Sequence, residues 1–355
     1  MAFINFQPKD HFNILLNTGD GTTNKSFTGV GFQPDMIWNK IRSTTYAHWM
    51  YDAVRGAGAE KEISPNGTAG MGDNDNAQYG YISSFDSDGF SVTGSSSSAY
   101  FNQNSETYVN WFWKANGQGS SNTDGTINTT YTSANTTSGF SIIKYNGNGS
   151  AGATIGHGLG VAPKCVIIKR TDTTSNWIFG TGATGFTKFL YLNLTDAETT
   201  NSGTFNNTAP STSVITLGSW NDVNNSSGTY IAYAFAEKTG FSKFGSYTGN
   251  GEASDNAFIY TGFKPAFVLI KATDVDEWRI YDNKRANPFN VIDVRLKANS
   301  SDAESSGNNE CDFLSNGIKI RSNSGGVGSS GQEYIYMCFA EEPLVSSNGV
   351  PAVAR

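Results

Sequence analysis

Gly160-Val161-Ala162-Pro163-Lys164-Cys165-Val166-Ile167-Ile168-Lys169 is a glycine turn, a proline and an apolar run closed by lysine. The same pattern stands earlier as Gly31-Phe32-Gln33-Pro34-Asp35-Met36-Ile37-Trp38-Asn39-Lys40, and later as Gly262-Phe263-Lys264-Pro265-Ala266-Phe267-Val268-Leu269-Ile270-Lys271. A tryptophan follows each run a few residues on, as Trp49, Trp177 and Trp278. Pro163 to Pro265 and Lys169 to Lys271 are both 102 residues apart, and Trp177 to Trp278 is 101. Working outward, the openings agree in Leu16-Asn17-Thr18-Gly19-Asp20-Gly21, Tyr145-Asn146-Gly147-Asn148-Gly149 and Tyr247-Thr248-Gly249-Asn250-Gly251. The closings agree in Tyr108-Val109-Asn110-Trp111-Phe112-Trp113, Tyr230-Ile231-Ala232-Tyr233-Ala234-Phe235 and Tyr334-Ile335-Tyr336-Met337-Cys338-Phe339. Solenoid repeats have periods of roughly 20–50 residues. The longer spacing predicts three tandem domains, over residues 1–117, 118–239 and 240–355.

Each run is β-branched or aromatic and bounded by Gly, Asn or Pro, which are strand and turn signals. No window carries a sustained helical stripe. The pattern predicts an all-β chain of three β-sandwich domains, jelly-roll or lectin-like. The Ser/Thr/Asn/Gly-rich stretch 118–138 reads as a linker on composition, but Thr126-Ile127-Asn128-Thr129-Thr130-Tyr131 predicts an edge strand belonging to the second domain.

Composition narrows the function. Charged residues make up 15%, against roughly 25% in ordinary soluble proteins, so surface polarity falls to Ser, Thr and Asn. A formal net charge of −7 argues against a nucleic-acid partner, which clustered Lys and Arg would bind. No run approaches the ~18 apolar residues of a membrane span, and no basic-then-apolar leader opens the sequence. The chain is expected to be made in a cytosol and to stay out of membranes. Cys165, Cys311 and Cys338 do not recur at matching positions, so no disulfide framework is expected.

Catalytic patterns are missing from the sequence. His11, His48 and His157 lack metal-ligand spacing, and no nucleophile stands beside an activating base. Asp86-Ser87-Asp88-Gly89 reads as a hairpin turn. Asp73 and Asp75 begin like a calcium loop that then breaks at Ala77, which leaves them weak metal candidates. Glycines in Gly156-His157-Gly158-Leu159-Gly160 precede a strand, not the helix that a phosphate loop needs. The chain is therefore expected to be non-enzymatic and without a cofactor. Aromatic side chains offer the better route to function, because their flat faces stack on sugar rings. Trp49, Trp177 and Trp278 recur together and are expected in cores. Trp220, Tyr79, Tyr81 and Tyr100 are confined to single copies and are the candidate ligand-binding residues.

The strings Val30-Gly31-Phe32-Gln33-Pro34-Asp35, Tyr51-Asp52-Ala53-Val54-Arg55-Gly56, Ser84-Phe85-Asp86-Ser87-Asp88-Gly89-Phe90, Trp111-Phe112-Trp113-Lys114-Ala115, Ala134-Asn135-Thr136-Thr137-Ser138-Gly139-Phe140-Ser141 and Gly156-His157-Gly158-Leu159-Gly160-Val161-Ala162-Pro163 resemble a repeated, functionally uncharacterised β-sandwich domain of marine bacteriophage virion proteins. The third copy shares only its Pro265 run, Trp278 and closing strand. The resemblance implies a virion surface component, often a tail fibre, made in a bacterial cytoplasm. It implies other virion proteins as partners, a host-surface polysaccharide as a further one, and a homo-oligomer or symmetric copies on the particle. A capsid decoration or head-fibre protein is the first alternative, and a carbohydrate-binding or hydrolytic module the second.

Overall fold

The computed structural model describes residues 7–73, 76–94, 99–285 and 289–343. The three lysine-closed runs form the strands Met36–Ile41, Cys165–Arg170 and Phe263–Ala272, almost wholly buried on both faces. That burial is why they read as continuous apolar runs and not as alternation. Each lysine strand lies between the closing strand of its segment and a short fourth strand. The closing strands are Thr107–Trp113, Thr229–Phe235 and Glu333–Pro343. The fourth strands are Trp49–Asp52, Trp177–Thr181 and Arg279–Asp282. Opening strands Phe12–Thr18, Phe140–Asn146 and Ser242–Thr248 pair with the far edge of the closing strands. The order opening, closing, lysine, fourth holds in all three principal sheets, and each of these pairings is antiparallel.

A smaller sheet covers one face of each principal sheet and completes a sandwich. It is built from Asn24–Thr28, Gly89–Thr93 and Tyr81–Asp86 in the first segment, Thr154–Gly156 and Val214–Thr216 in the second, and Phe258–Tyr260, Gly317–Ile320 and Cys311–Leu314 in the third. Three cores fill these sandwiches, around Phe27, Ile37 and Phe90, around Ile155, Val166 and Ile215, and around Ile259, Val268 and Ile318. The fold is all-β, as the sequence predicts.

The other faces of the principal sheets meet one another. Trp38 and Trp113, Ile167 and Phe235, and Leu269 and Phe339 belong to one further apolar core shared by all three segments. At its centre lies a void of about 10 Å³ lined by Met36, Trp113, Ile167, Phe235, Phe267 and Met337 among others. With apolar walls and so little room, it stays dry.

Polar contacts close this packing into a ring. Trp177 Nε1 donates to Ser64 O of the first segment at 2.9 Å, and Trp278 Nε1 to Tyr191 O of the second at 2.8 Å. His48 of the first segment completes the cycle, its Nε2 lying 3.0 Å from Lys297 O of the third. Three backbone bonds donate the opposite way round, from Met71 N to Thr171 O, Glu198 N to Thr273 O and Glu304 N to Arg42 O. The relation is that of a heterologous threefold interface that closes, here within one polypeptide.

This ring corrects the sequence alignment by one residue. Trp49 stands opposite Asn39, whereas Trp177 stands opposite Lys169. The positional equivalent of Trp177 and Trp278 is His48, and the three backbone amides each donate to an asparagine Oδ1, on Asn66, Asn193 and Asn299. Trp49 turns instead into the core of the first sandwich.

The motifs at the strand ends fit together. Tyr108, Tyr230 and Tyr334 hydroxyls each accept from the amide five residues back and donate to the carbonyl nine residues back. This tyrosine corner pins the loop before each closing strand. The opening glycines press against that loop: a Cβ on Gly19, Gly147 or Gly249 would stand 2.0, 2.3 or 2.4 Å from the carbonyl oxygen of Gln103, Asn225 or Ser329. The predicted edge strand over 126–131 is different in form. Ile127 makes one parallel bridge to Ile155 and enters the second core, and the regular strand begins only at Tyr131.

Candidate functional site

The four aromatic candidates fall into two separate places and are packed more deeply than the sequence suggests. Tyr79, at the end of the short helix Asn76–Tyr79, lies 5.3 Å from Tyr100 between ring centres. Tyr100 in turn meets Trp49 at 4.5 Å and Tyr46 at 5.9 Å. Tyr81 opens its strand and packs, half-buried, against the core of the first sandwich. Trp220 precedes the one-turn helix Asn221–Asn224 and meets Phe189 edge-on at 5.4 Å. It too is half-buried, against the second core. All four rings are half-buried, packed at the loop ends of their own sandwiches.

The carboxylates are engaged in structure. Asp86 and Gly89 pair across a two-residue hairpin, as the turn reading predicts. Asp88 accepts from Gly29 N at 3.1 Å and Gly31 N at 2.6 Å, while Asp86 accepts from Ser84 and Ser91 hydroxyls, each at 2.7 Å. Asp73 Oδ2 accepts from Gly70 N at 2.8 Å. Asp75 lies outside the described residues. Among the described residues no three His, Cys, Asp or Glu side chains converge as a metal site. The cysteines are free and buried.

Buried aspartate–arginine pairs lie at two of the three segment junctions. Asp52 pairs with Arg55 at 2.6 Å, and Tyr233 of the second segment donates to the same carboxylate at 2.7 Å. Asp282 pairs with Arg285 at 2.6 Å, and Trp111 Nε1 of the first segment donates to it at 2.9 Å. Burial alone would raise the Asp282 pKa, but the Arg285 charge and these hydrogen bonds outweigh it and lower it. Glu304 extends this junction, bonding Arg285 and, through two contacts, Arg42. The second segment has Thr181 in the register of both aspartates. The residue of the third segment in register with Trp111 and Tyr233 is Met337, which has no proton to donate. Donor and carboxylate are thus present together or absent together, as the cost of an unpaired buried charge requires.

The exposed apolar side chains are elsewhere. Phe258 is 46% and Tyr260 58% exposed, on either side of Ile259 at 4%. The sequence reading passed over them because Phe258-Ile259-Tyr260 looks like any short strand. The available signal was its alternation, which puts both rings on the face opposite Ile259.

A family model described as Domain of unknown function (DUF7483) matches residues 7–343. No curated protein and no solved structure matches the chain. The matched span takes in all three sandwiches, so the unit it describes is the whole ring.

Proposed function

We propose, from the premise that this chain belongs to the family of the Domain of unknown function (DUF7483), that it is a non-enzymatic structural protein of a bacteriophage particle. In this reading it is a tail-fibre or appendage part that holds a surface towards the host, with other virion proteins and a host glycan as partners. The observation that carries the reading is the closed ring around one shared core. Fibres commonly obtain a rigid threefold body from three chains, and here one chain supplies all three faces. The resemblance of the Pro34 and Pro163 runs to marine bacteriophage structural domains supplies the context.

Immunogold labelling and electron cryo-microscopy of intact particles test it. Label on a tail or appendage is the expected result. Label confined to the head transfers the ring to a decoration role, and particles without the protein overturn the reading. Release of reducing sugar from a host polysaccharide by the purified chain would replace it with a hydrolase.

A further inference from the structure

We propose that Phe258 and Tyr260 form a stacking platform for a neutral glycan, an inference that rests on the host-attachment reading above. Both rings rise from the solvent face of the three-stranded sheet of the third sandwich. Tyr260 stands opposite Gly317 and Phe258 opposite Lys319. On the next strand Leu314 and Asp312 continue the same two rows. Gly317 gives the patch a flat floor: a Cβ there would come within 2.9 Å of Phe258 Cζ, so the phenyl ring leans over the glycine.

The feature belongs to the third segment alone. The equivalent inward residues Phe27 and Ile155 are flanked by Ser26 and Thr28, and by Thr154 and Gly156. The sandwich therefore does not need aromatic rings there to fold, and exposing them to water opposes solubility.

Size and charge identify the occupant. Rings of this type carry about 150–250 Å² each, so half-exposed ones present roughly 100 Å² apiece, far below the ~800 Å² per side of a stable protein interface. A narrow ligand fits, and two rings about 7 Å apart along a strand meet successive parts of a linear chain. The rim consists of the Lys319–Asp255 pair at 2.6 Å and the Arg321–Asp312 pair at 2.8 Å. Each cation is matched by a carboxylate, which disfavours a phosphate backbone, especially on a chain of net charge −7. Such paired groups offer both donors and acceptors, the complement of sugar hydroxyls, while sugar C–H faces cover the rings.

The test uses the full chain on an array of neutral and acidic bacterial-surface oligosaccharides, with single-stranded DNA and phosphatidylcholine vesicles as competing probes. Wild type is expected to bind neutral oligosaccharides. Tyr260→Ser should weaken binding at least tenfold without changing the melting temperature, because the side chain is exposed. Tyr260→Trp should restore binding, and Val275→Ser, at an exposed position away from this sheet, should leave it intact. Glycan binding that survives both Tyr260→Ser and Phe258→Ser overturns the platform while sparing the attachment reading. Preference for DNA or vesicles, or no glycan binding by wild type, overturns the platform as well, and particle labelling then judges the attachment reading separately.

Discussion

His48 is a histidine in a tryptophan's place, and the exchange carries a proton liability. Trp38 Nε1 donates to His48 Nδ1 at 2.9 Å, so the ring proton sits on Nε2 and points to Lys297 O. Burial, and then the charge of Lys40, hold its pKa well below the ordinary 6.5. The unfolded chain binds a proton there near pH 6.5 and the folded chain does not, so stability falls as pH drops below that value. Burial also lowers His11 and His157, which adds to the same acid arm. His48→Gln, which keeps an acceptor for Trp38 and a donor for Lys297, should flatten this arm in urea unfolding compared at pH 7 and 5.5. His48→Phe should cost about 1–3 kcal/mol at pH 7 by leaving the Trp38 N–H unpaired, and less at pH 5.5, where the wild type already bears the histidine's proton penalty. The sequence hid this residue because Trp49 stands next to it, and a one-residue slip on a strand exchanges core and partner faces.

At the scale of elements, the tyrosine corners hold the loops that cap each sandwich. Replacing Tyr108, Tyr230 or Tyr334 by Phe strands one backbone N–H and one C=O in each case. Each variant should lose about 1–3 kcal/mol and show faster hydrogen exchange at the pinned amide of Gln103, Asn225 or Ser329; unchanged exchange would remove the corner from the account. The strands were legible because β-branched runs between glycines and prolines have one local solution, and the opening glycines and closing tyrosines recur with them. The strap through Ile127 was not, since its single bridge depends on the distant Ile155. Nor was the face that Phe258 and Tyr260 take, because alternation separates two faces without saying which is wet. Nor was the packing of Tyr79 and Tyr100 against each other, since it joins residues from two different loops.

For the whole molecule, the ring encloses three lysines whose recurrence is the first sign of order in the sequence. Lys40, Lys169 and Lys271 are fully buried. Their ammonium groups donate to backbone carbonyls: Ile41 O at 2.6 Å, Thr68 O and Ser175 O at 2.9 and 2.7 Å, and Ala272 O and Asp274 O both at 2.7 Å. Desolvation lowers each pKa from 10.5 to about 8, partly opposed by carboxylates that include one from the neighbouring segment: Asp302 for Lys40, Asp73 for Lys169 and Asp196 for Lys271. Between these two values the folded chain holds fewer protons than the unfolded one. The lysines by themselves therefore make stability rise with pH across that window, the penalty being fully present below about 8. Buried thiols and phenols set the upper limit: desolvation pushes Cys165, Cys311 and Cys338 well above 9.0 and Tyr145, Tyr233 and Tyr281 well above 10.0, so beyond about pH 9 the unfolded chain sheds protons that the folded chain keeps, which first offsets the gain from the lysines and then reverses it. The melting temperature should thus climb from pH 7.5 to a maximum near 9, in a single transition because the segments share one core. Replacing any one lysine by methionine should remove about a third of that climb, the three sites being independent and equivalent to first order. A melting temperature that falls steadily from pH 7.5 to 9 would show that the three ammonium groups are not enclosed by the ring.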